Sequence, residues 1–284
     1  VRQWMRYGMG DMNREVVSVN FRQIDTKTMG IDVMLRYSSD KYGNLFDVRQ
    51  AYRVLSSGDV LIHNNVTVSD QIKSIATVGM SMGVDKSLTT AEWLGRDGES
   101  YPDRCNAGQV AQNVRPVSDL FYRYNTLDHA GNRTQVRWAA FRNDNVGLYV
   151  DVIDTLCNFS IYPYSEKQMI LAQEEGGWSD VNELDYWTLD VDYLTTGVGG
   201  AQCNMGFQES SLLKKHEYQF TVHLRPYECM EYDAQDFRRI AYPKVESGII
   251  ELPVISKSRD RFDSPMQITI TCKTPNVEIH YTLD

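Results

Sequence analysis

The chain has 284 residues, of which 42% are hydrophobic and 24% charged, the balance of an ordinary globular protein rather than of a disordered or membrane-embedded one. Its net charge of −9 would repel a phosphate backbone, and no stretch approaches the roughly 20 apolar residues of a membrane helix. We therefore expect neither nucleic acid nor a membrane as a partner.

Apolar residues alternate with polar ones along the N-terminal part of the chain, which predicts strands with one buried face. The segments "SSDKYGN" and "SSGD" between these runs supply hairpin turns. The alternating residues are Val17, Val19 and Phe21, then Ile31, Val33, Leu35 and Tyr37, then Val48, Tyr52 and Val54, then Val60, Ile62, Val66 and Val68.

The same alternation continues further along the chain, and we expect more than about ten antiparallel strands before residue 228. One helix is predicted at "YSEKQMILAQ", where Ser165 and Gln168 fit a capping box. The later alternating residues are Val136 and Trp138, Val146 to Val152, Phe159 and Ile161, Trp187 to Tyr193, and Tyr218 to Leu224.

After Pro226 the pattern changes to an acidic stretch with a short amphipathic segment, which indicates a linker over 229–250. Alternation then returns at the C-terminal end, in two runs on either side of Pro275. Because two strands are marginal by themselves, we expect 251–284 to be part of a small second β-sandwich.

Motifs for metal, phosphate and redox chemistry are weak. The five cysteines are far apart and the five histidines lie at no metal-ligand spacing, so we predict neither a disulfide framework nor a metal site in this chain. The glycines of "TTGVGG" follow a strand without a helix after them, which favours a tight backbone bend over a dinucleotide loop.

Two carboxylate pairs are candidates for a glycosidase dyad, which needs one protonated and one ionised group. Glu99 and Asp103 lie on a turn beside an arginine, which favours two ionised carboxylates. Glu174 and Glu175 lie in a segment typical of a solvent-exposed loop. By residue chemistry, the chain is expected to be a carbohydrate-binding or structural β-sandwich without catalysis of its own.

Several blocks in a fixed order resemble the C-terminal β-supersandwich of family two glycoside hydrolases of the β-galactosidase type. They are "WLGRDGESYPDR", "VSDLFYRY", "GNRTQVRW", "CNFSIYPYS", "YWTLDVDYLTTGVGG" and "YQFTVHLRPY". The resemblance implies an all-β, galactose mutarotase-like supersandwich over 1–228, lacking its first strands. It also implies a parent that cleaves terminal β-galactosides on a separate barrel, which would hold both catalytic glutamates and magnesium.

The resemblance implies sugar-contact candidates in two loops. Aligning Gly199 and Gly200 with the family's Gly-Gly loop places Asn204 where the family has a sugar-stacking tryptophan. An asparagine can hydrogen-bond a hydroxyl but offers no apolar face. The candidates are Gly200, Gln202, Asn204 and, in a second altered loop, His129; these departures imply a changed substrate preference.

The tail "PMQITITCKTPNVEIHYTLD" resembles the chitobiase-type, fibronectin-like sandwich appended to exported glycan-degrading enzymes. It implies a periplasmic or extracellular parent, although a cytoplasmic one stays open. Val1 opens the chain without an initiator Met or an apolar leader, which we interpret as the start of a fragment. Expected partners are the remaining domains of the parent and a β-galactoside or related glycan, and homo-oligomerisation stays open.

The leading hypothesis is the non-catalytic C-terminal portion of a β-galactosidase-like hydrolase. The alternatives are an autonomous carbohydrate-binding module, which needs exposed aromatics at alternate strand positions, and a mutarotase-like epimerase, which needs a His and a Glu on one concave sheet.

The motif at 93–104 is predicted to have a structural role, with an aspartate–glycine turn and a buried group of hydrogen-bonded polar side chains. Its members are Trp93, Glu99, Tyr101, Asp103 and Arg104.

Overall fold

The computed structural model describes residues 2–123, 131–174, 178, 181–198, 209–238, 254–255 and 269–271. The chain divides into two compact units, Val1–Tyr242 and Pro243–Asp284. In the second unit the described residues form one antiparallel pair, Val254–Ile255 with Ile270–Thr271. The domain boundaries predicted at 228 and 250 stay predictions.

The larger sheet of the first unit has nine antiparallel strands in the order β1-β2-β3-β4-β13-β10-β9-β6-β7. Its first four strands are adjacent in chain order, and β6–β7 and β9–β10 are also consecutive pairs, whereas the contacts β4–β13, β13–β10 and β9–β6 join strands that are not consecutive in the chain. The strands are β1 (Asn13–Asp25), β2 (Thr28–Ser39), β3 (Gly43–Leu55), β4 (Val60–Val68), β6 (Thr90–Arg96), β7 (Val110–Pro116), β9 (Trp138–Arg142), β10 (Val146–Val152) and β13 (Glu217–Glu228).

The smaller sheet has four antiparallel strands in the order β5-β12-β11-β8. Its strands are β5 (Thr77–Asp85), β8 (Arg133–Val136), β11 (Cys157–Tyr162) and β12 (Tyr186–Thr195). The remaining elements are α1 (Arg2–Met5), α2 (Glu166–Glu174), α3 (Ala234–Phe237) and two 3₁₀ turns, Val117–Asp119 and Glu209–Ser211.

The main core lies between these two sheets, where alternate side chains of both meet. Trp93 of the large sheet packs edge-to-face on Phe159 of the small one, with ring centroids 5.7 Å apart, and Tyr193 stacks on Phe220 at 5.2 Å. A second, smaller core covers the outer face of the large sheet, where Phe237 of α3 packs on Tyr149 and Tyr227. The predicted all-β sandwich is confirmed.

Thirteen strands precede residue 229 in the described part of the chain, which confirms the predicted number. The helix prediction is confirmed as well, with its capping box formed in both directions. The backbone N–H of Gln168 donates to Ser165 Oγ at 3.2 Å, and that of Ser165 donates to Gln168 Oε1 at 2.9 Å.

Two expectations about strands are wrong. The buried face predicted for β1 does not exist, because β1 is an edge strand whose apolar side chains are exposed, Phe21 by 71%. The run through Val136 and Trp138 is two strands in different sheets, since the chain crosses from β8 to β9 at Arg137. No described helix has the length and hydropathy needed to cross a membrane.

Candidate functional site

The motif at 93–104 begins on β6 and runs into the loop 97–109 that leads to β7. Trp93 is 1% exposed and its indole N–H donates to the carbonyl oxygen of Arg96 at 2.9 Å, which satisfies its single donor inside the core. Gly98 has a φ of +66°, the left-handed conformation expected of the predicted aspartate–glycine turn. The motif is therefore anchored in the core at one end.

Ser100 fixes the loop to the strand β8. Its backbone N–H donates to the carbonyl of Asn132 at 2.8 Å, while the side-chain amide of Asn132 donates back to the carbonyl of Ser100 at 2.8 Å. The hydroxyl of Ser100 lies 2.8 Å from that of Thr134. All three residues are buried, so these hydrogen bonds lie in a low-dielectric environment, where the loss of any one of them would lower the stability of the fold.

Glu99 connects the motif to residue 131. One oxygen of its carboxylate accepts hydrogen bonds from the hydroxyl of Tyr101 at 2.5 Å and from the backbone N–H of Gly131 at 3.2 Å. Gly131 has a φ of +83°, and a Cβ there would collide with the carbonyl oxygen of Leu120. The glycine is required by the backbone, and Glu99 holds it in place.

Asp103 makes the equivalent connection to the end of β12. Its carboxylate accepts from the backbone N–H of Val198 at 3.3 Å. The preceding Gly197 has a φ of +67°, and a Cβ there would come within 2.5 Å of the Asp103 carboxylate. This agrees with the tight bend predicted for "TTGVGG". Glu99 and Asp103 thus each hold a backbone amide at the end of a different segment.

The buried arginine of this region is Arg133 rather than Arg104. Arg104 is exposed, whereas Arg133 is 2% exposed, donates to the carbonyl of Gly131 at 2.8 Å and lies over the ring of Trp93 at 5.7 Å. Burial lowers the pKa of Arg133. Arg133 is not among the residues predicted from the sequence, although an arginine directly after "GN", on a strand that follows a tight turn, was a signal.

A cluster of aromatic side chains lies at the end of β11. The ring of Phe121 lies 5.7 Å from that of Tyr164 and 5.8 Å from that of Trp178, and the guanidinium of Arg123 lies 5.5 Å from Tyr164. Tyr162 and Tyr164 are buried, so neither belongs to an exposed binding platform. Burial and the neighbouring Asp190 raise the pKa of Tyr162.

The predicted sugar contacts Gly200, Gln202, Asn204 and His129 lie outside the described residues. The same holds for Glu175, and of Glu174 only the backbone is described.

Within the described ranges, no three His, Cys, Asp or Glu side chains are grouped so as to hold a metal ion. Cys105 and Cys157 are buried, and burial raises the pKa of Cys157 to about 12, so that thiol is inert.

Comparison with known families matches residues 1–224 to the family described as "Beta galactosidase small chain". Among curated relatives, a β-galactosidase of Oenococcus oeni is 23% identical over 207 residues, which are 70% of this chain and 18% of that protein. A β-galactosidase of Yersinia pestis is 24% identical over 242 residues, 82% of this chain and 21% of that protein. The matched part is thus about a fifth of these relatives.

Solved structures give a more distant similarity. A galactose 1-epimerase from Lactobacillus acidophilus superimposes with a TM-score of 0.41 at 10% identity, covering 74% of this chain and 66% of that one. A GalM/aldose epimerase homologue from C. elegans gives a TM-score of 0.32 at 8% identity, covering 74% and 68%.

Proposed function

The chain belongs to the β-galactosidase small-chain family, and from that premise we propose that it is the non-catalytic C-terminal portion of a β-galactosidase-like glycoside hydrolase. In this proposal the domain shapes one side of the carbohydrate-binding cleft and takes part in domain assembly. The parent hydrolyses terminal β-galactosides on domains outside this chain, which also hold its catalytic glutamates and magnesium.

The observation that carries the cleft-shaping role is the pair of backbone bonds made by the motif loop. Glu99 holds Gly131, which directly follows the segment 124–130 that contains His129. Asp103 holds Val198, which directly precedes the segment 199–208 that contains Gly200, Gln202 and Asn204. The segment 124–130 therefore ends next to a residue that is hydrogen-bonded to the loop 97–109, and the segment 199–208 begins next to another such residue.

These bonds also argue against Glu99 and Asp103 as a catalytic dyad. A general acid must hold a proton that it can deliver to the glycosidic oxygen. Both carboxylates instead accept hydrogen bonds from backbone amides of other segments, so their oxygens are engaged in holding the chain. We propose that they are positioning residues, which hold two segments in place at the cleft.

The exposed edge strand β1 supports the role in domain assembly. Four of its apolar side chains are exposed and lie on both faces of the strand, namely Val16, Val17, Val19 and Phe21. A contiguous apolar edge of this kind marks an interaction surface. Since the matched relatives are about five times longer than the matched segment, we propose the remaining domains of the parent as its partner.

An autonomous carbohydrate-binding module is less well supported. Such a module needs aromatic side chains exposed at alternate positions of a strand. Among the described strands, Phe21 and Tyr186 are the exposed aromatics, and they lie on β1 and β12 in different sheets. Trp187, next to Tyr186, is buried in the core.

The first experiment measures turnover of an aryl β-galactoside by the purified chain. We expect none, because the two carboxylates of the motif are held by backbone amides. Turnover that disappears in the Glu99→Gln variant would contradict the proposal. Reading the coding region immediately upstream is the complementary observation, and we expect a barrel with two glutamates at strand ends.

The second experiment tests the positioning role in the complete parent enzyme. Asp103→Ala removes the acceptor for Val198, and we expect KM to rise by about tenfold with a smaller fall in kcat, because a displaced segment weakens substrate contacts before it affects chemistry. Asn106→Ala, an exposed change in the same loop, is the matched control. Equal kinetic constants for the two variants would remove Asp103 from this role.

A further inference from the structure

The inner face of the nine-stranded sheet extends beyond the sheet that covers it. The aromatic pairs of the main core place β11 over β6 and β12 over β13. The next strand of the small sheet, β5, lies over β4, where the side-chain amide of Asn64 is 3.3 Å from the sulfur of Met80. Because β5 is the last described strand on this side of the small sheet, that sheet leaves β3, β2 and β1 uncovered.

Burial across this face falls step by step from β4 to β1. One row of directly paired residues crosses the four strands, and its members are Ile62, Tyr52, Ile31 and Phe21. Ile62 is 3% exposed and Phe21 is 71% exposed, while the two residues between them are half-buried. The row is hydrophobic throughout, so its β1 end is an apolar surface without a described cover.

The neighbouring row shows the same change. Its members are Asn64, Gln50, Val33 and Val19. The side-chain amide of Gln50 donates to Asn64 Oδ1 at 2.8 Å, so the polar side chains at the boundary are hydrogen-bonded to each other. Beyond them Val33 is half-buried and Val19 is 44% exposed. A contiguous apolar surface of this kind marks an interaction site.

The boundary strand β5 has a free edge beside this surface. Among the described strands, β5 pairs with β12 alone. Natural edge strands are commonly protected by a lysine or a proline, which prevents a further strand from pairing. The nine residues of β5, "TVGMSMGVD", include neither, so its edge is suited to accept another strand.

The free edge and the apolar surface fit one kind of occupant. A strand added to β5 would lie over β3, since neighbouring strands are about 4.8 Å apart in both sheets. Covering β2 and β1 as well takes about three added strands by the same spacing. Their side chains would be apolar at alternate positions, so that they pack on Ile31, Val33 and Phe21. The occupant is therefore an amphipathic segment of β-sheet.

A second copy of this chain does not fit the surface. The inner face of its small sheet is already packed on its own large sheet, with Tyr193 stacked on Phe220. Because the space beneath its β5 is filled by its own β4, pairing of two β5 edges would drive β4 of the copy against β3 of the first chain. The added strands must therefore belong to a different segment.

We propose that strands of the parent from outside this chain pair with β5 and cover the inner faces of β3, β2 and β1. The inference rests on the proposed function, which supplies the parent, and it names the surface and the kind of segment through which the parent joins this domain. The matched relatives are about five times longer than the matched segment, so such a parent contains enough residues for the added strands.

The experiment compares hydrogen–deuterium exchange of residues 77–85 in the purified chain and in the complete parent. We expect the β5 amides that face away from β12 to exchange at least about a hundredfold more slowly in the parent, because the added strands hydrogen-bond them. Residues 157–162 form β11, an interior strand of the small sheet, and they should exchange alike in both proteins.

A matched pair of variants tests the apolar surface. Phe21→Glu places a charge on the inner face of β1, and Asn20→Glu places the same charge on the opposite face at the preceding residue. Both residues are exposed, so neither variant should change exchange in the purified chain. In the parent, Phe21→Glu should speed the exchange of residues 77–85 by roughly tenfold or more relative to Asn20→Glu, because it buries an unpaired charge.

Two results would overturn the proposal. Residues 77–85 could exchange at the same rate in the chain and in the parent: fast exchange in both means an unoccupied edge, and slow exchange in both means that this chain or a second copy occupies it. Alternatively, Phe21→Glu and Asn20→Glu could behave alike in the parent.

Turnover of an aryl β-galactoside by the same parent preparation separates this inference from the proposed function. An inactive parent with a protected β5 would refute the proposed function and support this inference. An active parent with an unprotected β5 would refute this inference alone.

Discussion

Two clusters of polar side chains on the outer faces of the two sheets have opposite hydrogen-bond states. In the histidine cluster of the large sheet, His223 lies between Asp59 at 2.7 Å and Asp151 at 3.2 Å, and Arg225 donates to Asp59 at 2.6 Å. In the aspartate pair of the small sheet, formed by Asp190 and Asp192, the Asp190 carboxylate accepts from the hydroxyl of Tyr162 at 2.5 Å, whereas no hydrogen bond joins the Asp192 side chain to another described residue.

The two clusters differ in how far the protein itself satisfies their polar groups. The histidine cluster is buried beneath the second core, with the ring of Phe237 5.2 Å from the guanidinium of Arg225, and its members are hydrogen-bonded to one another. A complete buried network rigidifies the fold. The aspartate pair is half-buried, and the charge of Asp190 opposes the ionisation of Asp192.

The largest effect is expected when the complete cluster is broken. Asp59→Ala leaves His223 and Arg225 without their shared acceptor in a buried position, and we expect the free energy of unfolding to fall by about 3 kcal/mol or more in urea titrations. Asp47→Ala, which breaks the half-exposed pair with Arg36, should cost under about 1 kcal/mol. Equal losses for both would refute the distinction.

The pH dependence of the histidine cluster follows from Asp59. Burial by itself would raise its pKa, but hydrogen bonds from Arg225, Ser57 and His223 hold it below the ordinary value. A depressed carboxyl pKa contributes stability above the unfolded value of about 3.9, and this is lost as the pH falls through the native pKa. Stability of Asp59→Ala should therefore fall less than that of the wild type on acidification.

Arg133 tests whether the motif loop belongs with the complete cluster. Arg133→Ala leaves the carbonyl of Gly131 without this donor and removes a cation from the face of Trp93, and we expect a loss of about 2 kcal/mol. The measurement is again urea unfolding. A loss below about 0.5 kcal/mol would show that the loop is held by Ser100 and Asn132 instead.

Asp192 should behave oppositely to Asp59. Its pKa is raised by burial and by Asp190, so the native state loses stability as the pH rises from about 3.9 through the native pKa. Asp192→Asn should therefore stabilise the chain at pH 7, by about 1 kcal/mol, and this gain should disappear in acid. A variant that is less stable than the wild type at pH 7 would mean that the carboxylate has structural partners.

The smallest effect is expected at Arg104, which the sequence analysis placed in a buried group of hydrogen-bonded polar side chains. Because Arg104 is exposed, Arg104→Ala should change the free energy of unfolding by less than about 0.5 kcal/mol. It is the matched control for Arg133→Ala, with the same side chain removed a short distance away. A loss equal to that of Arg133→Ala would restore the original assignment.

Alternation along the sequence predicted most of the strands because it reports which side chains share a face. It does not report whether anything covers that face, which is why the buried face of β1 was a wrong expectation. The motif "TLDVDY" already placed Asp190 and Asp192 on one face, but their partners on β5 and β11 depend on the register of distant strands. The same applies to His223 and Asp59, which are 164 residues apart.

The loop contacts of Glu99 and Asp103 could not be predicted from the sequence, because both carboxylates accept from backbone amides of segments that are distant in sequence. A helix cap, by contrast, was predictable at Ser165 because donor and acceptor are three residues apart. Hydrogen bonds between residues close in sequence could be predicted, whereas contacts between distant segments and strands could not. The roles of Asn204, Gln202, Gly200 and His129 stay predictions.

The contrast between the two clusters is tested most directly by following the side-chain carboxyl carbons of Asp59 and Asp192 through a pH titration by NMR. Asp59 should titrate below the ordinary aspartate value, since its hydrogen-bond donors belong to the protein. Asp192 should titrate above that value, because burial and the charge of Asp190 oppose its ionisation. An Asp192 that titrates below the ordinary value would contradict the account.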